Sequence, residues 1–381
     1  MAAMKAMVLE ACCDMARTPE PLVLKDVSRP EPGPGDLLVK VEVCGVCHTE
    51  LDEIEGRTPP PRLPVIPGHQ IVGTVAATGP GSGDFALGQA VGIAWIFQAC
   101  GTCAFCRSGR ENLCPAFVAT GRDVNGGYAE YVTVPAAFAH PLPAALEPAA
   151  AAPMLCAGAI GWRSLALSGL RDGQDLGLTG FGASAHLVLP MVRHRFPASR
   201  VYVFARSEEQ RAFALGLGAT WAGPTEAESP VKLHAVIDTT PAWTPVVEAL
   251  KNLHPGGRLV INAIGKQESD KAALLGLDYP RDLWREKEIR SVANVTRADV
   301  REFLALAAAA GIRPEVREYA LEEANRALQD LRTGRGWGPG CCGWPLRAGA
   351  TGSCCLERCA RRVPRPSAGR WPGWCGRWPA R

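Results

Sequence analysis

Four cysteines, Cys100, Cys103, Cys106 and Cys114, fall within fifteen residues. Four thiolates so close in a loop can close a tetrahedral shell around one ion, with no open position left for chemistry. Such a lobe folds on its ion, because the unfolded chain has no preformed site. The gap of seven residues before Cys114 is unlike the common iron–sulfur runs, so zinc is the expected ion. Disulfides belong to oxidising compartments. Residues 1–10 read as the start of a strand, not as a leader with a long apolar core.

A chain of 381 residues exceeds one ordinary core and predicts more than one domain. The formal charge of +3 is misleading, because residues 336–381 hold eight of the 41 basic residues and one of the 38 acidic ones. The body alone is weakly acidic, so the +3 comes from the tail and is no evidence for a nucleic-acid partner; none is expected. No uncharged apolar run reaches membrane-spanning length; the Ala-rich stretch near 144–162 is broken by Glu147, Pro148 and Pro153. A cytoplasmic protein with no membrane partner is expected.

Up to about residue 150 the sequence is Pro/Gly-punctuated and β-rich, with strands expected over 5–10, 37–43 and 71–78. From 151 the texture changes. Ala-rich helical sequence over 151–169 precedes a strand over 175–179, a glycine turn and a helix over 185–196. Strands over 201–204, 234–239 and 258–263 and helices over 208–217, 297–310 and 321–332 follow. Strands alternating with helices predict a parallel, doubly wound sheet. The expected division is 1–150, 151–290, 291–335 and a tail, 336–381.

That tail contains no Lys, Asp, Asn, Gln, His, Ile, Phe, Tyr or Met. Gly, Pro, Arg, Cys, Trp and Ala dominate it, so it is expected to be disordered and to supply no β-branched strand. Gly340-Cys-Cys-Gly343 can be encoded as GGG TGC TGC GGG, which two nucleotides later reads Val-Leu-Arg. We therefore expect an out-of-frame translation of a GC-rich gene, to be checked by resequencing independent isolates. An intact frame through residue 381 contradicts it.

Two further constellations carry chemistry. Cys47, in Cys-Gly-Val-Cys-His-Thr-Glu-Leu (44–51), and His69, in Ile-Pro-Gly-His-Gln (66–70), are two donors of an open metal site, with Cys156 the candidate third. Gly180-Phe-Gly182-Ala-Ser-Ala185 places a Gly-x-Gly-x-x-Ala turn between a strand and a helix, where backbone N–H groups can meet a pyrophosphate. The next strand ends Ala205-Arg206-Ser207. It lacks the acid that would bind a ribose 2′-hydroxyl, while Arg206 and Ser207 suit a 2′-phosphate, so NADP is favoured over NAD.

The four-cysteine lobe, Gly45-Val-Cys-His-Thr49, Pro67-Gly-His69, Gly126-Gly-Tyr-Ala-Glu-Tyr131 and the glycine turn occur in one order. That order resembles the zinc-dependent medium-chain alcohol dehydrogenases over residues 4–335. The resemblance implies a GroES-like catalytic domain, a Rossmann domain and a return of the chain to the catalytic domain. It implies two zincs per chain, one held by Cys47, His69 and Cys156 and one by the four-cysteine lobe. It implies hydride transfer between a nicotinamide and a small to medium alcohol, aldehyde or ketone, in a dimer or tetramer. Thr49 would be the first proton-relay group, and His48 would approach the cofactor. Trp95 would line the substrate pocket. Gln70, Glu50, Asp52 and Ile160 depart from the common pattern at the positions of a Glu, an Asp, a relay His and a Thr. The segment after 330–335 usually closes the catalytic sheet, and its apparent loss leaves a second expectation, a frameshifted member that binds zinc and nucleotide without turnover.

Overall fold

The computed structural model describes residues 2–334, 341–343 and 346–348. Two sheets organise the chain. The first has seven strands, built on the ten-residue strand Asp36–Gly45. Gln70–Thr78 lies antiparallel on one side of it, followed outward by Ala90–Ile93 and Ala139–Pro141. On its other side Tyr131–Pro135 pairs with residues 36–40, and Leu346–Arg347 pairs with Val43 and Cys44. Apolar side chains such as Leu37, Val39, Val41, Ile71, Ile93 and Val134 fill this core.

The second sheet has six strands in the order Trp221–Gly223, Arg200–Phe204, Asp175–Thr179, Leu233–Asp238, Leu253–Ile261 and Glu288–Ser291. Every neighbouring pair is parallel. Asp175–Thr179 is buried throughout, as a central parallel strand covered on both faces must be. The chain runs outward from it to one edge, then crosses back to build the other half. The order therefore reverses between Asp175–Thr179 and Leu233–Asp238, where doubly wound sheets open a ligand crevice. Helices Ala157–Ser168, Ala183–Arg195 and Arg297–Ala310 share one apolar core with these strands, and Val43 and Val72 join it from the first sheet, with Ala94 from just after its strand Ala90–Ile93.

The expected helix over 297–310 is present, started by a Thr296/Asp299 capping box and ended by Gly311 at φ 62°. Strands Leu22–Ser28, Trp221–Gly223 and Glu288–Ser291 were not anticipated. The first shows why: its exposed face alternates irregularly and it is held by pairing with Ala3–Leu9. Among the described residues no single helix is long and apolar enough to cross a membrane. The bent pair Pro148–Leu155 and Ala157–Ser168 passes by length and composition alone, and Ala151, Ala152, Met154 and Leu155 are buried in the core.

One expectation is corrected. Residues beyond 336 do supply strands. Cys341–Gly343 pairs in parallel with Glu315–Val316, and Leu346–Arg347 inserts between Tyr319–Ala320 and Asp36–Gly45. Backbone pairing needs no β-branched residue, and one apolar side chain, Leu346, is 1% exposed in the core. Arg347 pairs with Glu318. The expectation of disorder over 349–381 falls outside the described residues. Truncating Leu346 leaves a cavity beside Cys44, so Leu346→Ala should lower unfolding free energy by about 2–4 kcal/mol in a denaturant titration; no loss would mean the pairing is incidental.

Candidate active site

The strand Asp36–Gly45 delivers Cys47 to the N-cap of the helix His48–Ile54. Its Sγ accepts from Thr49 N at 3.3 Å, and Glu50 Oε2 accepts from Cys47 N at 2.8 Å. This capping box fixes the thiol before any ligand binds. His69 stands just before the strand Gln70–Thr78, after Gly68 at φ 100°. A side chain at Gly68 would meet the Tyr128 ring at 2.4 Å and Cys44 Sγ at 2.8 Å, so glycine is required there. Cys156 lies in the break between Ala152–Leu155 and Ala157–Ser168.

These three segments converge. The donor atoms of Cys47, His69 and Cys156 lie within 4.8 Å of one another, and Cys47 Sγ is 3.6 Å from His69 Nε2. The S···N edge of a tetrahedral zinc is about 3.6 Å by its bond lengths. Glu50 Oε1 is 2.5 Å from His69 Nδ1, which leaves Nε2 facing the two thiols. Glu50 and His69 are both buried. Burial alone would lower the imidazole, but the Glu50 carboxylate and Cys47 outweigh it and hold His69 well above its usual range. The Cys47 thiol is held up by its contact with Cys156 and by burial. A divalent cation reverses both tendencies, because it favours thiolate and neutral imidazole.

Cys100, Cys103, Cys106 and Cys114 form the second cluster, their sulfurs likewise within 4.8 Å. Cys100–Cys106 and Cys103–Cys114 are each 3.9 Å apart, against about 3.8 Å for the edge of a tetrahedral thiolate zinc. Glu111 and Asn112 fasten this lobe to the start of Arg297–Ala310: Glu111 Oε1 accepts from Arg297 N at 3.0 Å, and Asn112 Nδ2 donates to Ala293 O at 2.6 Å.

Around the first cluster, Thr49 makes no side-chain hydrogen bond with another described residue, and His48 is exposed to solvent. Protein crowded around His48 lowers its imidazole, with Asp52 opposing. Asp52 is tied to Arg57 at 2.5 Å. Trp95 meets the His69 ring edge-on, centroids 6.4 Å apart. Gln70 is buried, and its Oε1 meets no hydrogen-bond donor among the described residues. Ile160 packs against the core.

Gly180, Gly182 and Ala185 stand at the switch point. Gly180 has φ 75°, and a side chain there would meet Thr240 Cγ2 at 2.8 Å. Gly182 is the N-cap of Ala183–Arg195 and has open space where a side chain would be, which leaves its backbone approachable. Ser207 caps Glu208–Gly216 by accepting from Gln210 N at 3.4 Å. Arg206 is exposed beside it. Sequence reasoning missed a buried clamp below this turn. Asp238 Oδ1 accepts from Thr179 Oγ1 at 2.6 Å and Thr240 Oγ1 at 2.8 Å, and Asp238 pairs with Lys266. Lys266 Nζ also donates to Thr240 O at 2.8 Å and Ala242 O at 3.0 Å.

The model of the alcohol dehydrogenase GroES-like domain matches residues 33–144. Probable alcohol dehydrogenase AdhA of Mycobacterium tuberculosis (strain CDC 1551 / Oshkosh) is 44% identical over 80% of this chain and 88% of its own length. An alcohol dehydrogenase of Geobacillus stearothermophilus is 34% identical over 82% and 93%. A protein of Sinorhizobium meliloti 1021 described as a zinc-binding dehydrogenase, solved with NADP, superposes with a TM-score of 0.77 at 27% identity, covering 91% of this chain and all of its own. The chain belongs to the zinc-dependent medium-chain alcohol dehydrogenase family. It is an oxidoreductase acting on CH–OH donors.

Glu53, which carries no signal in the sequence, is 1% exposed, and neither carboxyl oxygen is hydrogen-bonded to another described residue. Burial and the neighbouring Glu50 push it up from 4.5 to about 8. The folded chain thus holds this proton more tightly than the unfolded chain, and stability falls as pH rises from 4.5 through 8. Glu53→Gln removes that loss. Its melting temperature should exceed the parent's by more at pH 9 than at pH 5, and a cation at the three-donor cluster should narrow the gap, measured with and without chelator. A gap independent of pH contradicts the raised carboxyl.

Proposed function

We propose that the protein interconverts small to medium alcohols and their aldehydes or ketones with a zinc at Cys47, His69 and Cys156 and with NADP as the favoured nicotinamide. The observation that carries this is the three-donor cluster with Glu50 on the far nitrogen of His69. Two thiolates and an imidazole leave a fourth position free, the pattern of a catalytic site, whereas the four-cysteine lobe suits a closed, structural ion. When bound, zinc supplies a Lewis acid that polarises the substrate oxygen, and the nicotinamide carries the hydride.

The chain's own residues bind, orient and move the proton. Glu50 fixes the His69 ring through Nδ1. The Thr49 hydroxyl exchanges the proton of the substrate oxygen. Asp52 is occupied by Arg57, so the proton leaves by another route, and the exposed His48 approaches the cofactor. Gly180, Gly182 and Ala185 bring the backbone of the helix start to the pyrophosphate. Arg206 and Ser207 hold the 2′-phosphate, in keeping with the NADP bound by the Sinorhizobium relative. The working form is a cytoplasmic homo-oligomer, dimer or tetramer. Its catalytic part spans 1–150 and 291–335, and its nucleotide part 151–290.

Metal analysis should give two zincs per chain, with NADPH-dependent reduction of small aldehydes. Cys156→Ala should drop to one zinc and lose at least about 100-fold in turnover. Two zincs without turnover would favour the impaired, frameshifted member instead. Arg206→Ala should raise KM for NADPH by about 10- to 100-fold, the worth of a charge-assisted hydrogen bond, and leave NADH unchanged. A parent that prefers NADH contradicts the 2′-phosphate assignment.

A further inference from the structure

Among the buried polar atoms near the three-donor cluster that no other described residue meets are three that belong together: both carboxyl oxygens of Glu53 and Nε1 of Trp95. An unmet buried group costs about 1–3 kcal/mol, so three together mark a contact that is poised to form. The Trp95 indole lies near enough to the Glu53 carboxyl to draw it down, without reaching hydrogen-bond geometry. Glu53 follows Glu50 by three residues and shares its face of His48–Ile54. Glu50 is fully spent on His69 and Cys47. Glu53 is therefore the free acceptor on that face.

Apart from the hydrogen bond its carbonyl accepts from Thr120 N, Trp95 is met among the described residues by non-directional ring contacts. Phe117 lies 5.5 Å from its ring, the His69 ring 6.4 Å, and the Arg122 guanidinium sits 5.2 Å above it. Arg122 is itself fixed by two hydrogen bonds to Asp123. Such contacts resist displacement of the ring but do not set its rotation; a hydrogen bond to the indole N–H does.

We infer that Glu53 is a positioning residue: its carboxyl takes the Trp95 indole N–H and locks the aromatic wall beside the Cys47–His69–Cys156 cluster, so that it sets substrate size. The inference rests on the proposed reading of Trp95 as a wall of the substrate site. The short helix then carries a metal donor at its cap, the carboxylate that orients the second donor, and the anchor of the wall. Without the anchor the ring can turn, and bulky flat substrates lose their fit while small ones do not.

The test uses the full zinc-loaded chain, with 1-propanol and cinnamyl alcohol as probes. Glu53→Leu should change the ratio of their kcat/KM by about tenfold, one hydrogen bond's worth, chiefly through KM for cinnamyl alcohol. Glu53→Gln keeps a carbonyl acceptor and should stay near the parent. Trp95→Phe should shift the ratio as Glu53→Leu does, and adding Glu53→Leu to it should do nothing more. Equal shifts from Glu53→Leu with and without the Trp95 indole overturn the inference. So does a Trp95→Phe variant whose selectivity matches the parent's.

A second readout needs no activity. The Trp95 indole N–H resonance, assigned by its loss in Trp95→Phe, should move upfield in Glu53→Leu and hold in Glu53→Gln. An unmoved resonance in Glu53→Leu overturns the anchor. A moved resonance with unchanged selectivity upholds the anchor and instead removes Trp95 from the substrate wall.

Discussion

The carboxylate of Glu50 ties the site together. It reaches Cys47 N and His69 Nδ1 at once, joining the cap of one helix to the start of another strand. Glu50 and His69 are buried, where a lone charge would be costly and a bridged one is specific. The bridge fixes which imidazole nitrogen faces the thiols. Glutamate here, where an aspartate is common in the family, adds one methylene and still closes the capping box with its second oxygen.

The two sheets divide the remaining work. The seven-stranded sheet positions Cys47 and His69 at the ends of adjacent antiparallel strands, where pairing of Gly45 with Gln70 sets their separation. Cys156 comes from the segment leading into the six-stranded sheet. The site therefore assembles only when both parts pack, and Val43, Val72 and Ala94 in the shared core make that packing one cooperative unit. The glycine turn meets the same crevice from the other side. Asp238 and Lys266 brace it from below by binding both flanking strand ends.

Much of this was legible in the sequence because spacing carried it. The four cysteines and the strand–glycine turn–helix unit need only local geometry, and the four sulfurs lie within 4.8 Å of one another. The central strands read as apolar runs because they are covered on both faces. What did not read depended on tertiary contacts. Glu53 looks like one more surface acid in Glu-Leu-Asp-Glu-Ile-Glu, and only the tertiary packing of its helix buries it. Lys266 lies far from Asp238 in sequence and in a loop without pattern. Leu346 was misjudged because composition weighs a whole segment, whereas one buried leucine and two backbone pairings suffice to fill a strand position.

X-ray absorption at the zinc edge tests the central claim most directly, since it sees the donors and not the turnover. One closed thiolate site and one Cys2His site with an oxygen in its open position predict an average shell of about three sulfurs and one nitrogen or oxygen per zinc. A shell of sulfur alone, or a single zinc per chain, would contradict the account, because it would leave Cys47, His69 and Cys156 without their ion.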